Sequence, residues 1–231
     1  MSRILEAWHK GPWLAVQAAF ARVSDFMEEQ RLGIRTEAHI PIETLTRNSE
    51  DNHDYTPTGI RALRRLFGQL ELTGGRDVLV DYGCGMGRVV TIASEYAFQR
   101  IVGVEISPAL IEVARRNVAT FKGTRHCRDI AFWNGSAEQF PLPPDASVLF
   151  FFNPFEGRVL GELLARIQNS MKANPRRLQI VYVNPMHICK LEGQYSWLKP
   201  RVRFSFEHEC VIYDSGPIAN LDEIAADSAH A

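Results

Sequence analysis

The stretch V-L-V-D-Y-G-C-G-M-G-R-V-V, residues 78–90, decides the fold. Its apolar beginning predicts a short strand, and the apolar residues at helical spacing after residue 88 predict a helix. The glycines between them, Gly83, Gly85 and Gly87, allow the backbone to turn tightly with positive φ and leave room for a ligand to approach. The stretch therefore predicts a strand, a glycine-rich turn that can hold a ligand, and a helix that leaves the turn.

Strands and helices alternate on the C-terminal side of this turn. Ser107 and Pro108 predict the start of a helix, because a serine N-cap followed by proline at the first helical position favours one. Further apolar runs predict another helix at 157–171 and strands at 101–106, 130–133, 147–152 and 178–183. With the strand at 77–81, this order indicates an α/β fold with a doubly wound, Rossmann-like parallel sheet. Two alternating runs, 202–207 and 210–213, predict an antiparallel hairpin at one edge.

The N-terminal region has a different pattern. Apolar side chains recur there at three- and four-residue steps, which predicts an amphipathic helix over residues 12–30; they are Trp13, Val16, Phe20, Val23 and Met27. The Gly-Pro breaker before this run, and the shortness of the run, favour a packing helix over a secretory signal peptide. We therefore expect an N-terminal helical extension over 1–56 that can act as a lid, a cofactor-binding domain over 57–213 and a C-terminal tail over 214–231.

Composition and charge exclude several classes of protein. Of the 231 residues, 45% are hydrophobic and 23% are charged, as in ordinary globular domains. Twenty-six basic and 27 acidic residues leave a net charge of −1, which argues against binding nucleic acid or an anionic membrane through bulk charge. No apolar run reaches the ~18 residues of a membrane span. The cysteines form no C-x-x-C pair, so we expect reduced thiols, no metal site and a cytoplasmic location; they are Cys84, Cys127, Cys189 and Cys210.

Two carboxylates indicate the ligand of the glycine turn. A dinucleotide places its pyrophosphate at the helix N-terminus, but the G-x-G-x-x-G spacing of such sites fails because residue 88 is arginine. Asp81, at the strand end, would repel a pyrophosphate and attract the ammonium or sulfonium group of S-adenosylmethionine. Glu105 lies at the end of the second strand, where it can accept hydrogen bonds from both ribose hydroxyls. The two acids around G-x-G-x-G therefore favour S-adenosylmethionine as the cofactor.

Residues 54–185 resemble the class I S-adenosylmethionine-dependent methyltransferases. The resemblance lies in V-L-V-D-Y-G-C-G-M-G-R-V and V-G-V-E-I-S-P, which are similar to that family's first and second motifs. In finer detail G-M-G-R-V-V, G-V-E-I-S-P and F-F-N-P-F resemble a group of bacterial methyltransferase-domain proteins, and a more distant likeness is to Dot1-type lysine methyltransferases. The resemblance implies a seven-stranded sheet with an antiparallel edge hairpin, which agrees with the hairpin predicted above.

The resemblance also implies roles for individual residues. The three glycines would line the methionyl end of the cofactor, Glu105 would hold its ribose, and Ile106 would pack on its adenine. Ser136 stands where many members have an acid that reaches the adenine amino group. The segment before the first strand often closes over the cofactor in this family, so Tyr55 and Thr58 are candidates to contact the methionine part. The alternative for Thr58 is helix capping.

The end of the fourth strand supplies the candidate catalytic residues. Ligands of open α/β sheets lie beyond the carboxyl ends of the strands, so Asn153 and Phe155 should border the pocket. The Asn153 side chain can accept a hydrogen bond from a target amine and can contact the cofactor, and Phe155 can offer an aromatic wall to a cationic group. N-P-F resembles the N-P-P-[Y/F] signature of amino-group methyltransferases but lacks its second proline. The alternative is a turn that ends the strand, with Phe155 in the core.

These observations favour an enzyme that transfers a methyl group to a nitrogen or oxygen atom of a small molecule or a protein side chain. One alternative is a non-catalytic Rossmann module that binds an adenosine ligand. Another is a nucleic-acid amino-methyltransferase, which the near-neutral charge does not favour. The sequence leaves the methyl acceptor open.

Overall fold

A computed structural model of the chain describes residues 12–36, 57–152, 157–185, 192, 195, 197–205 and 208–216. Its helices, numbered in chain order, are α1 (Pro12–Leu32), α2 (Ile60–Phe67), α3 (Arg88–Ala93), α4 (Pro108–Thr120) and α5 (Gly157–Ala173). Its strands are β1 (Asp77–Tyr82), β2 (Phe98–Glu105), β3 (Ile130–Asn134), β4 (Ala146–Phe152), β5 (Gln179–Val183), β6 (Lys199–Ser205) and β7 (Glu209–Asp214).

The strands form one seven-stranded sheet in the order β3-β2-β1-β4-β5-β7-β6. β1 to β5 are parallel to their neighbours, and β7 lies antiparallel between β5 and β6. β1 and β5 are buried along their whole length, as expected for parallel strands covered on both faces. The doubly wound sheet and the antiparallel edge hairpin, both predicted from the sequence, are confirmed.

The core consists of two hydrophobic clusters, one on each face of the sheet. Alternate residues of β1 point to opposite faces, so Val80 belongs to one cluster and Leu79 to the other. α5 covers the first cluster, whereas α2, α3 and the end of α1 cover the second. The glycine turn therefore follows a strand whose position is fixed from both faces.

α1 confirms the helix predicted over residues 12–30, but its apolar stripe is not its packing face. An amphipathic packing helix would turn such a stripe inward. Among the side chains of α1 that the structure describes, the buried ones are instead Asp25, Glu29 and Leu32. Four side chains of the stripe are exposed by 57, 76, 63 and 65%, and we call them the outer stripe of α1: Val16, Phe20, Val23 and Met27. Within the described residues, no helix is long and apolar enough to cross a membrane.

Candidate functional site

The glycine turn lies where β1 and β2 end side by side. Gly83, Gly85 and Gly87 have positive φ values of 77°, 51° and 78°, which residues with a Cβ adopt only at a cost in strain. The amides of Gly83 and Cys84 both donate to the Val104 carbonyl at 2.9 Å. The turn is thus hydrogen-bonded to the end of β2, which brings it next to Glu105.

Gly87 also permits close packing behind the turn. It is the N-cap residue of α3, and a Cβ at this position would lie 2.8 Å from the Cβ of Ala114 in α4. Non-bonded carbon atoms normally stay about 3.5 Å or more apart. The third glycine therefore serves the approach of α3 to α4 as well as the turn itself.

Glu105 is held in place by backbone donors on both of its carboxylate oxygens. Gly85 N–H donates to Oε2 and Ser107 N–H donates to Oε1, each at 2.9 Å. Burial raises the pKa of Glu105, although these backbone hydrogen bonds oppose the rise. Asn134, at the end of β3, adds hydrogen bonds of 3.0 Å to the carbonyls of Glu105 and Ile106. Asn134 was not predicted as a site residue, because its only signal in the sequence was an amide side chain at a strand end.

Asp81 differs from Glu105 in that part of its carboxylate has no partner. Its side chain is 1% exposed, and its Oδ2 atom has no hydrogen-bond partner among the described residues. Burial, and to a smaller extent the Glu105 carboxylate, raise the pKa of Asp81 well above its usual value. A buried carboxylate oxygen without a partner is unfavourable, and a hydrogen-bond donor or a cation would relieve it. The site is therefore suited to a cationic ligand and unsuited to a pyrophosphate.

Thr58 and Ser136, both predicted to contact the cofactor, differ in their hydrogen bonding. Thr58 is buried and its hydroxyl has no hydrogen-bond partner among the described residues. It does not cap α2, whose N-cap is Gly59 without a side-chain bond, so the capping alternative was wrong. Ser136 donates to Oε2 of Glu138 at 2.7 Å, which places an acid two residues after the expected position. The contacts of both residues with a cofactor remain predictions.

Some predicted site residues lie outside the described part of the chain. These are Tyr55, near the start of the domain, and the candidate catalytic residues Asn153 and Phe155 after β4. Ile106 is described and is half-buried directly after β2. In the described ranges, no group of three or more His, Cys, Asp or Glu side chains could hold a metal ion.

Arg88, the residue directly after Gly87, is the centre of a buried network that sequence reasoning missed. Its side chain is 2% exposed. Its guanidinium donates to Asp25 at 3.0 Å and to Glu29 at 2.9 Å, both on α1, and to the Thr36 hydroxyl at 2.5 Å. It also donates to the Thr58 carbonyl at 3.0 Å. The available signal was a pair of carboxylates four residues apart, which places both on one face of the helix.

The segment after α1 is attached to the same turn through Asn117 of α4. The Asn117 side chain accepts from the Arg35 amide at 2.9 Å and donates to the Arg35 carbonyl at 3.0 Å. It also donates to the carbonyl of Met86, inside the glycine turn, at 2.9 Å. α1 and the residues that follow it are therefore fastened to the turn at two points, Arg88 and Asn117.

Comparison with known proteins agrees with this geometry. Residues 79–174 match the family model described as a methyltransferase domain. No curated protein matches the chain.

Among solved structures, a ribosomal protein L11 methylase from Lactobacillus delbrueckii subsp. bulgaricus is 12% identical, with 69% of this chain and 79% of that chain covered and a TM-score of 0.50. An RNA methyltransferase from Salinibacter ruber, solved with S-adenosyl-L-homocysteine, is 21% identical, with 69% of this chain and 92% of that chain covered and a TM-score of 0.47. A magnesium protoporphyrin IX methyltransferase from Synechocystis PCC 6803, with bound SAM, is 15% identical, with 67% of this chain and 77% of that chain covered and a TM-score of 0.46. At 12% identity the likeness to the ribosomal protein L11 methylase concerns the fold alone.

Proposed function

We propose that the chain is a class I S-adenosylmethionine-dependent methyltransferase that transfers the donor's methyl group to a nitrogen or oxygen atom of a small molecule or a protein side chain. The match of residues 79–174 to a methyltransferase-domain model supports this proposal. The observation that carries the cofactor part of this proposal is the buried Asp81 carboxylate. Its Oδ2 atom, which has no hydrogen-bond partner among the residues the structure describes, lies at the carboxyl end of the sheet, where such folds bind their ligands.

The residues at the turn fit the parts of the cofactor. The backbone of Gly83 to Gly87 would line the methionyl part, since glycines admit a ligand close to the main chain. Glu105 would accept hydrogen bonds from the ribose hydroxyls, and its orientation is already fixed by two amides. Ile106 would pack on the adenine and Ser136 would lie at its edge. Thr58 has a buried hydroxyl available, and Tyr55 is proposed from the sequence to lie beside it.

Asp81 would supply the charge that selects the ligand. S-adenosylmethionine carries a methyl group on a positively charged sulfur, and that group is electrophilic without further activation. The carboxylate of Asp81 would bind either the sulfonium or the ammonium of this ligand through a charge-assisted contact. Because the pKa of Asp81 is raised in the free protein, such a contact would also favour release of its proton.

The acceptor side of the pocket is proposed from the end of β4. β4 ends at Phe152, next to β1 in the sheet, and from their positions in the sequence directly after this strand end we propose that Asn153 and Phe155 border the pocket. There Asn153 would orient an attacking nitrogen or oxygen, and Phe155 would exclude water from the transfer. The net charge of −1 favours a small molecule or a protein side chain over RNA. We expect the reaction to take place in the cytoplasm, without a membrane partner.

Two measurements on the full chain test this proposal. Titration calorimetry should detect binding of S-adenosylmethionine and of its demethylated product, and a folded protein that gives heat with neither would overturn the cofactor assignment. Incubation with methyl-labelled cofactor and fractionated cell extract should then place label in metabolites or protein. Label in RNA would overturn the acceptor proposal. Binding without any transfer would favour the non-catalytic adenosine-binding module.

A further inference from the structure

The outer stripe of α1 is an apolar surface that the methyltransferase site does not use. Val16, Phe20, Val23 and Met27 are exposed by 57, 76, 63 and 65%, and Phe26 beside them by 54%. In the part of the chain that the structure describes, the large hydrophobic side chains that are strongly exposed all lie on this helix. Neighbouring apolar side chains of this size on one helix face indicate an interaction surface rather than scattered surface residues.

α1 is anchored in a way that keeps this stripe outward. At 100° per residue, Asp25 and Glu29 lie on the opposite side of the helix from the outer stripe. Both carboxylates are ion-paired with the buried Arg88, at 3.0 and 2.9 Å. Turning the stripe inward would break these buried pairs, which is strongly unfavourable. These ion pairs therefore keep the outer stripe on the solvent-facing side of α1, where a partner can bind it.

The charge of α1 does not suit a lipid surface. Interfacial membrane helices carry many lysines and arginines on their polar face. The described charged side chains of α1 are instead two basic and three acidic: Arg22, Arg31, Asp25, Glu28 and Glu29. Arg31 forms an ion pair with Glu28 at 2.6 Å, so its positive charge is neutralised within the helix. These charges favour a protein partner over an anionic bilayer.

The spacing of the stripe favours a partner with the same sequence. Its residues are separated by four, three and four positions, which is the spacing of a coiled-coil seam. This series reads the same in both directions, so two copies of α1 that pair antiparallel across a two-fold axis place Phe20 opposite Val23 and Val16 opposite Met27. Each contact then joins a larger side chain with a smaller one, which is how facing helices interdigitate. Parallel pairing would instead place Phe20 against Phe20.

We propose that the chain forms a homodimer through antiparallel pairing of α1 about the outer stripe. The exposed surface of the stripe and Phe26 is on the order of 500 Å² per chain, given ~150–250 Å² for an aromatic side chain. Two copies would bury about 1,000 Å², near the lower limit of a specific interface. A two-fold arrangement needs only this one patch, because an isologous interface uses the same surface on both subunits. The dimer does not depend on the proposed reaction.

Sedimentation equilibrium on the full chain tests the dimer. The wild type should shift from 26.1 kDa to twice that mass as its concentration rises. Phe20→Glu should weaken association by about 100-fold, because it places a charge in the centre of an apolar contact. Ala165→Glu is the matched control: it adds the same charge at an exposed position of a helix, α5, on the other face of the sheet, and should leave association unchanged.

A charge-pair experiment tests the orientation. Phe20→Glu and Val23→Lys chains should each be monomeric alone and should associate when mixed, since antiparallel pairing places residue 20 of one chain opposite residue 23 of the other. Restoration by mixing supports the proposal, and its absence from mixtures of two folded chains overturns the antiparallel pairing. A wild type that stays at 26.1 kDa at all concentrations overturns the dimer. In that case a lowered Tm of Phe20→Glu would identify a segment of the same chain as the occupant, and an unchanged Tm would leave the stripe uncovered.

Discussion

Replacing Asp81 by asparagine should separate the binding role of this residue from its effect on stability. In the free protein the carboxyl is buried, its Oδ2 atom has no hydrogen-bond partner among the described residues, and its pKa is raised by burial and by Glu105. Asparagine keeps the shape and removes the charge. We expect Asp81→Asn to weaken binding of S-adenosylmethionine and to raise the Tm of the free protein.

The magnitudes follow from the two environments of the carboxylate. A hydrogen bond to a charged group contributes ~1.5–3 kcal/mol, which corresponds to a dissociation constant higher by about 10- to 150-fold. Removing a buried, unpaired charge should stabilise the free protein by about 1 kcal/mol, or about 2–4 °C in Tm for a chain of this size. Because the pKa of Asp81 is higher in the folded than in the unfolded state, the ionised group destabilises the fold increasingly as the pH rises through that interval. The gain in Tm should therefore be largest at alkaline pH and disappear in acid.

The assay is calorimetric titration of the Asp81→Asn chain with S-adenosylmethionine and with S-adenosylhomocysteine. An equal loss of affinity for both would assign the contact to the ammonium, which both ligands carry, and a loss confined to S-adenosylmethionine would assign it to the sulfonium. Asp77→Asn is the matched control at the other end of β1, where the carboxylate accepts from Thr73 and Ser147. It should lower the Tm and leave affinity unchanged. The reasoning is refuted if Asp81→Asn behaves like Asp77→Asn.

Three further predictions concern the turn and its anchors. Gly87→Ala should lower the free energy of unfolding by about 1–3 kcal/mol in chemical denaturation, because residue 87 has a φ of 78° and the new Cβ would lie 2.8 Å from the Cβ of Ala114. The control is Gly74→Ala, where φ is 62° and a Cβ would meet no atom within 4 Å, so the loss should be smaller. Equal losses in the two variants would contradict the packing argument. Arg88→Met should cost about 3–5 kcal/mol in thermal unfolding, since it removes the buried positive charge that both Asp25 and Glu29 contact, and a loss below about 1 kcal/mol would contradict this. Affinity for S-adenosylmethionine should fall as the pH is lowered, because the raised pKa of Asp81 means that binding displaces a proton; titration in two buffers of different ionisation enthalpy measures that proton, and identical heats would speak against it.

The central architecture was predictable because it depends on short, local signals. Each parallel strand contains a short apolar run, and each is followed in the sequence within two residues by glycine, serine or asparagine. Asp81 and Glu105 could be assigned to one edge because the carboxyl ends of parallel strands meet there. The hairpin of β6 and β7 followed from alternation in two runs close together in the sequence. In all these cases the pattern and the structure span fewer than about ten residues, the usual length of a strand.

The attachment of α1 was not predictable for the opposite reason. Helical spacing indicates which residues share a face, but it does not say which face meets the body of the domain. The face that packs is determined by the ion pairs of Arg88 with Asp25 and Glu29, which lie 63 and 59 positions before it in the sequence. Asp25 also accepts from the Ile60 amide at 3.2 Å, so it caps α2 across the fold in place of a local side chain. A buried polar network outweighed the apolar pattern at this helix.

The position of Arg88 gives this network a consequence for the cofactor site. The turn contains three glycines with positive φ, and glycine loses more conformational freedom on ordering than other residues do. Glu105 holds the amide of Gly85, Asn117 holds the carbonyl of Met86, and Arg88 ties the residue after Gly87 to α1. The turn is therefore fixed from three sides before a ligand arrives, and little ordering entropy remains to be lost on binding. α1 thus supports the site by restraining the turn from behind, without supplying any of the groups proposed to contact the cofactor.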